Sequence, residues 1–418
     1  MIFVPLLLAG LLPGAAFRKD EAGWVYVHLA GNPHRVGYDY GALLAPEIDD
    51  AQKALHDELK HETGQDWTYF REAGKLFWSQ VDPEYQEEID GQADALKAKG
   101  LPYDRWDVLA MNDYIELADY YYPWTQHRTT TRDACSAFIA TGGETSDGKV
   151  VVGQNFWWDY QTGERFNVIL DITPDKGHRF VMDCYPGFIH SGTDWAINDA
   201  GIVITETTLP SIKDFDPHGT PEFVRMRKAA QYAENIDDFA RILEAGNDGG
   251  YANTWLVADC KNNEIGKLEL GLAHFTLSRT KDGYYVGSNF PEDPALIRDE
   301  LDSWDPDPAT NGCEARKLRW KQLLDGAKGQ VDANLAMKFL ADTVNPTTKQ
   351  AGATPFTLCN RSAGFGTNNA KVTTSDMVSS LGFWGREGFP DGGSLKIAGP
   401  DHPYLRNIQP NPWFKFEK

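Results

Sequence analysis

The sequence predicts an α+β protein built from antiparallel sheets with helices packed against them. Three observations carry that reading. Between Asp49 and about Tyr122, apolar residues recur at helical spacing with charges between them. At Cys135 the period changes to short runs of strand-forming residues separated by turn chemistry. Helical stretches then interrupt those runs without alternating regularly with them, which favours layered α+β over a parallel α/β sheet.

The elements follow in chain order. The start, "MIFVPLLLAGLLPGAAFRKDEAG", is an apolar run closing on Gly14, Ala15 and Ala16. It is too short and wrongly flanked for a spanning helix, and it reads as a secretory leader over residues 1–16. The other reading is a short buried or surface-anchoring helix. A leader places the protein outside the cytoplasm: secreted, periplasmic or in a lysosome-like lumen. "WVYVHLAGNPHRVGYDYGALLAPEI" predicts a strand, a Gly-Asn-Pro turn and a helix start. "AQKALHDELKH", "EYQEEIDGQADALKAKG" and "RWDVLAMNDYIELADYYY" continue as helices, and the aromatic stretch ends at Pro123. Glu87–Glu88 reads as a solvated helix face. Residues 17–134 are therefore expected as a helical prosegment packed on a core of residues 135–418.

Beyond Cys135, strands are expected in "CSAFIATG", "KVVVGQNFWW", "FNVILDITP", "HRFVMDCYPG", "WAINDAGIVITETTL", "NTWLVADCKNNEIGKLEL" and "HFTLSRTKDGYYVGSN". "SDGK", "NDAG", "DCKNNE" and "TKDG" carry hairpin chemistry between them. "PEFVRMRKAAQYAENIDDFARILEAG", "ARKLRWKQLLDG" and "DANLAMKFLADT" read as helices.

Composition narrows the partners. At 418 residues and 41% hydrophobic, the chain can bury a sizeable core. A net charge of -21 argues against nucleic acid or an anionic membrane surface as a major partner. The five cysteines form no CxxC pair, which argues against structural zinc, and their odd number leaves at least one thiol unpaired within the chain. His56 and His61 stand five apart and do not share a helix face as metal ligands would. HExxH, phosphate-loop and dinucleotide motifs are absent. No cofactor or metal is expected.

The chemistry concentrates at "RDACSAFIATGGETSDGKVVVGQNFWWDY". A cut between Ala134 and Cys135 would give Cys135 a free α-amine with an unperturbed pKa near ~8, able to act as base for its own thiol. The "SDGK" turn folds Gln154, Asn155 and Trp157 back beside it. A polar Asn155 among apolar strand residues is costly unless it is hydrogen-bonded, and here it could orient the amine or bind an oxyanion. The plain alternative is that Cys135 is inert core packing.

The set of stretches resembles N-terminal nucleophile (Ntn) hydrolases of the cysteine autoproteolytic acyltransferase group, and especially the phospholipase B-like proteins. "DACSAFIATG", "GIVITETTL", "NTWLVAD" and "GTNNAKVTTSDM" carry the likeness, and "GNPHRVGYDYGALLAPEI" is similar to the Gly-rich opening of the acyltransferases. The resemblance implies an αββα sandwich of two antiparallel sheets, self-cleavage before the nucleophile, and acyl transfer or amide, ester or lipid hydrolysis on a small acyl-containing substrate. Position by position it implies Cys135 as nucleophile. Asn155 and Trp157 match a His-Asn-Thr-Trp stretch whose His is Gln154 here, a departure that removes an ionisable helper. Thr207 lies in the shared "ETT". Asn253 in "NTW" resembles an oxyanion donor, and Asn289 in "GSNF" is its rival. Arg361 in "NRSAG" matches an arginine that could steady the nucleophile's charge. The cleaved prosegment is expected to stay bound. Two other readings stay open: a secreted binding protein without turnover on the same fold, and a thiol protease using a distant His and Asp. Asn360-Arg361-Ser362 is formally a glycosylation acceptor, expected to be unmodified.

Overall fold

The computed structural model describes residues 16–129, 135–399 and 402–417. The leader expected over residues 1–16 lies outside them except for Ala16, and so does Ala134, the upstream half of the expected cleavage site.

Among the described residues, two sheets form the centre. The larger has nine strands in the order β1 (Phe17–Glu21), β2 (Trp24–Gly31), β5 (Val168–Pro174), β6 (Phe180–Cys184), β7 (Ala196–Asn198), β8 (Ile202–Thr208), β9 (Asn253–Asp259), β10 (Glu264–Leu270) and β11 (Phe275–Thr280). The smaller has six in the order β12 (Gly283–Gly287), β3 (Ser136–Thr141), β4 (Val151–Asp159), β13 (Phe365–Thr374), β14 (Phe383–Glu387) and β15 (Phe414–Phe416). Eight helices span eight or more described residues: α1 (Pro33–Thr63), α2 (Trp67–Gly74), α3 (Pro83–Ala98), α4 (Arg105–Asn112), α5 (Glu222–Tyr232), α6 (Ile236–Glu244), α7 (Gly312–Gly326) and α8 (Ala333–Leu340).

Strand alternation builds the layers. On the large sheet, Ile169, Val181, Val203 and Leu256 pack against Ala137, Ile139, Val152 and Phe383 of the small sheet. Their neighbours Val168, Leu170, Met182, Ile204 and Val257 face the other way, onto Leu44, Ile48, Ile89 and Phe239 of the helices. On the small sheet, Phe138, Ala140 and Val372 pack on Trp320, Leu324 and Phe339 of α7 and α8. The order is helix, sheet, sheet, helix. Each apolar side chain so buried contributes roughly 1.5–3 kcal/mol.

Local chemistry sets the helix ends. Asn32 caps α1 by accepting from Arg35 N, with Pro33 in the first turn and Gly64 left-handed at φ 75° beyond its end. Helices α1 and α3 cross with almost no side chain between them. A Cβ on Gly37 would stand 1.9 Å from Glu88 O, and one on Gly91 2.0 Å from His34 O. Asn311 caps α7 through Cys313 N, which fixes where Arg316 begins its second turn.

Four features depart from the sequence reading. The sheets are not wholly antiparallel, because β2 runs parallel to β5. A parallel pair needs a crossover, and here the helical stretch and the β3–β4 hairpin lie between the two strands. Residues 17–134 also supply β1 and β2 to the large sheet besides covering it with helices. The "TKDG" turn joins β11 of one sheet to β12 of the other and is not a hairpin; the "SDGK", "NDAG" and "DCKNNE" turns do close paired strands. Glu88 is not on a solvated face either: it is buried and paired with Arg227.

Candidate active site

Cys135 stands one residue before β3. Its backbone is left-handed at φ 78°, an unusual conformation for a residue with a Cβ, and its side chain is fully buried. The Trp157 N–H donates to its sulfur, and the thiol is hydrogen-bonded to the Glu206 carboxyl. Burial, then the Glu206 charge, pushes the thiol well up, so it is protonated in the intact chain.

A buried arginine holds the backbone of this residue. Arg316 Nη1 donates to Cys135 O at 2.7 Å and to Asn289 Oδ1 at 2.9 Å. Its Nη2 approaches Cys313 Sγ at 3.4 Å, and its guanidinium lies 4.2 Å over the Trp157 ring. Asn289, left-handed at φ 65°, donates from Nδ2 to Thr208 O at 2.7 Å. Thr208 in turn pairs with Asn253 across β8 and β9. Asn253 is fully buried, and neither amide atom has a partner among the described residues. Thr207 Oγ1 also has none there, and it packs so close to Gly287 that a Cβ on that glycine would stand 2.4 Å away. Gln154 donates to Thr193 O at 2.8 Å and reaches Glu206 O at 3.5 Å.

Glu206 opens a buried chain of acids. It is hydrogen-bonded to Asp194, and Asp194 to Glu222. Tyr251 donates to Glu206 Oε1 at 3.4 Å. The Glu222 N–H donates to Glu116 Oε2 at 2.8 Å, and Glu116 is bonded to Asp113 and Asp248. Arg225 reaches Asp248 at 3.1 Å. Two carboxyls bond to each other only by sharing a proton, so protons are held along this chain. Burial raises Asp113, Glu116, Asp194, Glu222 and Asp248 well above the carboxylate range, and pushes Glu206 to about 8. On the other side of Gln154, buried Lys371 is paired with Asp183 at 2.6 Å.

The structure thus gathers Cys135, Gln154, Trp157, Thr207, Asn253 and Asn289. It does not bring in the other two. Asn155 lies opposite Ser136, and its amide group donates to Leu340 O and Leu358 O at 2.8 and 2.7 Å. Alternation sends it to the side of Ser136, away from the Cys135 thiol, and both its protons are taken. Arg361 is bound to Asp391 at 2.7 Å and packs 5.5 Å from the Phe389 ring; no described contact joins it to Cys135. The cation beside Cys135 is Arg316, which in the sequence reads only as part of a helix. Glu206 did carry a signal: it is the one charge in the apolar run "GIVITETTL". Asn360, the formal glycosylation acceptor, is buried.

Among the described residues, no group of three or more His, Cys, Asp or Glu could hold a metal, and no helix is long and apolar enough to cross a membrane. All five cysteines are free of disulfides.

The family model for Phospholipase B matches residues 49–300. An uncharacterized protein of Archaeoglobus fulgidus is 28% identical over 298 residues, 66% of this chain and 48% of its own length. Putative phospholipase B-like 2 of Homo sapiens is 32% identical over 146 residues, 31% of this chain and 24% of its own. The chain spans less than half the length of these relatives. Among solved structures, a mutant of conjugated bile acid hydrolase from Clostridium perfringens aligns over 68% of this chain and 97% of its own, at 10% identity and a TM-score of 0.40.

Proposed function

The chain belongs to the phospholipase B family, and from that premise we propose that it is a self-processing hydrolase of acyl bonds with Cys135 as nucleophile. The substrate class is an acyl amide, with an ester or lipid acyl group as the alternative. The observation that carries the reading is the setting of Cys135: a left-handed backbone at the head of β3, a thiol on the Glu206 carboxyl, and a carbonyl held by Arg316. Inert packing requires none of these.

In the uncut chain the thiol passes its proton to Glu206 in the ionised form of that carboxyl, which grows as pH approaches about 8, and Sγ attacks the carbonyl carbon of Ala134. The C–N bond breaks, the Cys135 nitrogen takes the proton, and a thioester joins Ala134 to Sγ. Water hydrolyses it, leaving a carboxylate on Ala134, a free thiol and a free α-amine. That amine, with an unperturbed pKa near ~8, then takes the thiol proton for attack on substrate and returns it to the leaving group. Asn253, a buried amide with no protein partner among the described residues, supplies an oxyanion donor. Trp157 and Arg316 wall the nucleophile, and Gln154 and Asn289 hold the strands around it. Water resolves the acyl-enzyme.

The upstream segment stays bound after the cut. Supporting this, Glu116 accepts from Glu222 N, Glu88 is paired with Arg227 in the core, and helices α1 and α3 cover the large sheet. The working location is extracytoplasmic, as the leader-like start suggests.

Intact mass and N-terminal sequencing of the purified protein, beside Cys135→Ala, test the proposal. Two chains, the second starting at Cys135, and one uncut chain in the variant are expected. A single uncut wild-type chain after acidification and long incubation would refute self-processing and leave a non-catalytic binding protein on the same fold.

A further inference from the structure

Between the two sheets lies a buried cluster that the acyl chemistry leaves unused. Lys371, on β13 of the small sheet, gives Nζ to Oδ2 of Asp183, on β6 of the large sheet, at 2.6 Å, and neither side chain is exposed. Asp183 Oδ2 also accepts from Thr193 Oγ1 at 3.0 Å and from Asn369 Nδ2 at 3.1 Å. Asp183 Oδ1 has no partner among the described residues. Lys371 Nζ is steadied by Asn369 Oδ1 at 2.8 Å and Thr193 Oγ1 at 3.1 Å, with the Phe156 ring 5.6 Å away. A second buried acid stands beside them. Glu387 pairs with Asn369 across β13 and β14, on the same side of β14 as the inter-sheet residue Phe383. Its Oε2 has no partner among the described residues.

This arrangement holds the reactants of an amide. A fully buried ion pair is costly, and proton transfer within it leaves a neutral amine against a neutral acid. Burial raises Asp183 against the pull of Lys371, Thr193 and Asn369. Burial, then the Asp183 charge, raises Glu387 well up, so Glu387 carries a proton. Amine and acid are in direct contact and fixed by their neighbours, which replaces a bimolecular encounter. The donors also divide the two carboxyl oxygens. Thr193 and Asn369 both aim at Oδ2, where an oxyanion would gather, and Oδ1 is left to depart.

We propose that Lys371 and Asp183 condense into an isopeptide bond that ties the two sheets together. Nζ, as the neutral amine, attacks Asp183 Cγ of the protonated acid, and the negative charge gathers on Oδ2. The Cγ–Oδ1 bond then breaks as the Oδ1 hydroxyl takes a proton from Glu387 and leaves as water. Nζ returns a proton to Glu387, which ends as it began. One amine and one carboxylic acid become one amide and one water, with no change of oxidation state. The bond is independent of the acyl chemistry at Cys135, and both residues lie downstream of the expected cut.

Intact mass and peptide mapping of the folded wild type and of Cys135→Ala, after incubation at neutral pH, test the proposal. In both, the chain carrying these residues should weigh one water less than its sequence. A protease digest should yield a branched peptide joining Asp183 to Lys371 that survives urea and mild alkali. Lys371→Arg keeps the positive charge without the amine and should show the full mass. Glu387→Gln, checked for folding by circular dichroism, should carry the bond in a fraction smaller by about tenfold or more. The wild-type result decides the matter whether or not either variant folds. Full mass, with Asp183 and Lys371 recovered in separate linear peptides, would overturn the proposal. So would a water loss that maps to a succinimide at an Asp-Gly step such as Asp147–Gly148, which leaves only linear peptides and reopens in mild alkali. A bond as complete in Glu387→Gln as in wild type would overturn the proton route through Glu387.

Discussion

Raising the pH from 6.5 to 8 should destabilise this protein, and the buried acids next to Cys135 say by how much. Burial moves Glu206 from 4.5 to about 8. A carboxyl whose folded pKa is raised binds more protons in the native state, so its stabilising share is complete below 4.5 and is lost as pH climbs toward 8. Part of that range is masked by groups of the opposite slope. Burial lowers His190 from 6.5 to about 3 and His56 to about 4, so each costs stability as pH falls below 6.5. Asp171, held down by His28, Arg179 and Tyr26 against its burial, matters only in stronger acid. Above 6.5 the opposing histidine contribution fades while Glu206 still titrates. At about 1.4 kcal/mol per pH unit, Glu206 alone removes about 2 kcal/mol between pH 6.5 and 8. Asp194, Glu222, Glu116 and Asp248, all raised, add losses of the same sign. Urea unfolding of Cys135→Ala, the variant expected to stay uncut under the proposed mechanism, measures this directly. Glu206→Gln in that background should lower the slope by about one proton and gain stability at pH 8. Stability that is flat or rising over this window, or an unchanged slope in Glu206→Gln, would refute the protonated acid chain.

Other perturbations follow from the same structure. Arg316→Met leaves Cys135 O and Asn289 Oδ1 without their shared cation; self-cleavage should fall more than tenfold by mass spectrometry, with about 3–5 kcal/mol lost in unfolding. Asn155→Ala leaves the Leu340 and Leu358 carbonyls unpaired; it should cost about 2–5 kcal/mol in urea unfolding, while the properly folded fraction still cleaves. Arg361→Ala breaks a half-exposed pair with Asp391; it should lose about 1 kcal/mol or less and cleave at the wild-type rate. Gly37→Ala puts a methyl 1.9 Å from Glu88 O; the α1–α3 crossing must open, and circular dichroism melts should drop steeply or soluble protein be lost.

The one-dimensional signals in this chain are strong, and they carried a large part of the fold. Alternation and turn residues mark β3 to β10 closely, because side-chain period and hairpin chemistry are local properties. The position of a lone cysteine at the head of β3 is also local, as is the clustering of "QNFWW" behind the "SDGK" turn. Sheet membership is not. Nothing in "TKDG" states that the flanking strands enter different sheets, since that choice rests on which apolar faces meet across the sandwich. Nor can residues 17–31 announce a parallel pairing with a strand that begins at Val168. The same limit governs the site. Asn155 and Arg361 match motif positions, but the direction of a side chain and its final partner depend on packing: Asn155 points to the carbonyls near α8, and Arg361 finds Asp391. Arg316 reads in sequence as one more cation on a helix. Only the docking of α7 over Trp157 brings it to the carbonyl of Cys135, 181 residues away along the chain. The acid chain is decided likewise, because Asp113, Asp194, Glu222 and Asp248 are unremarkable charges until separate segments bury them beside Glu206 and make them share protons.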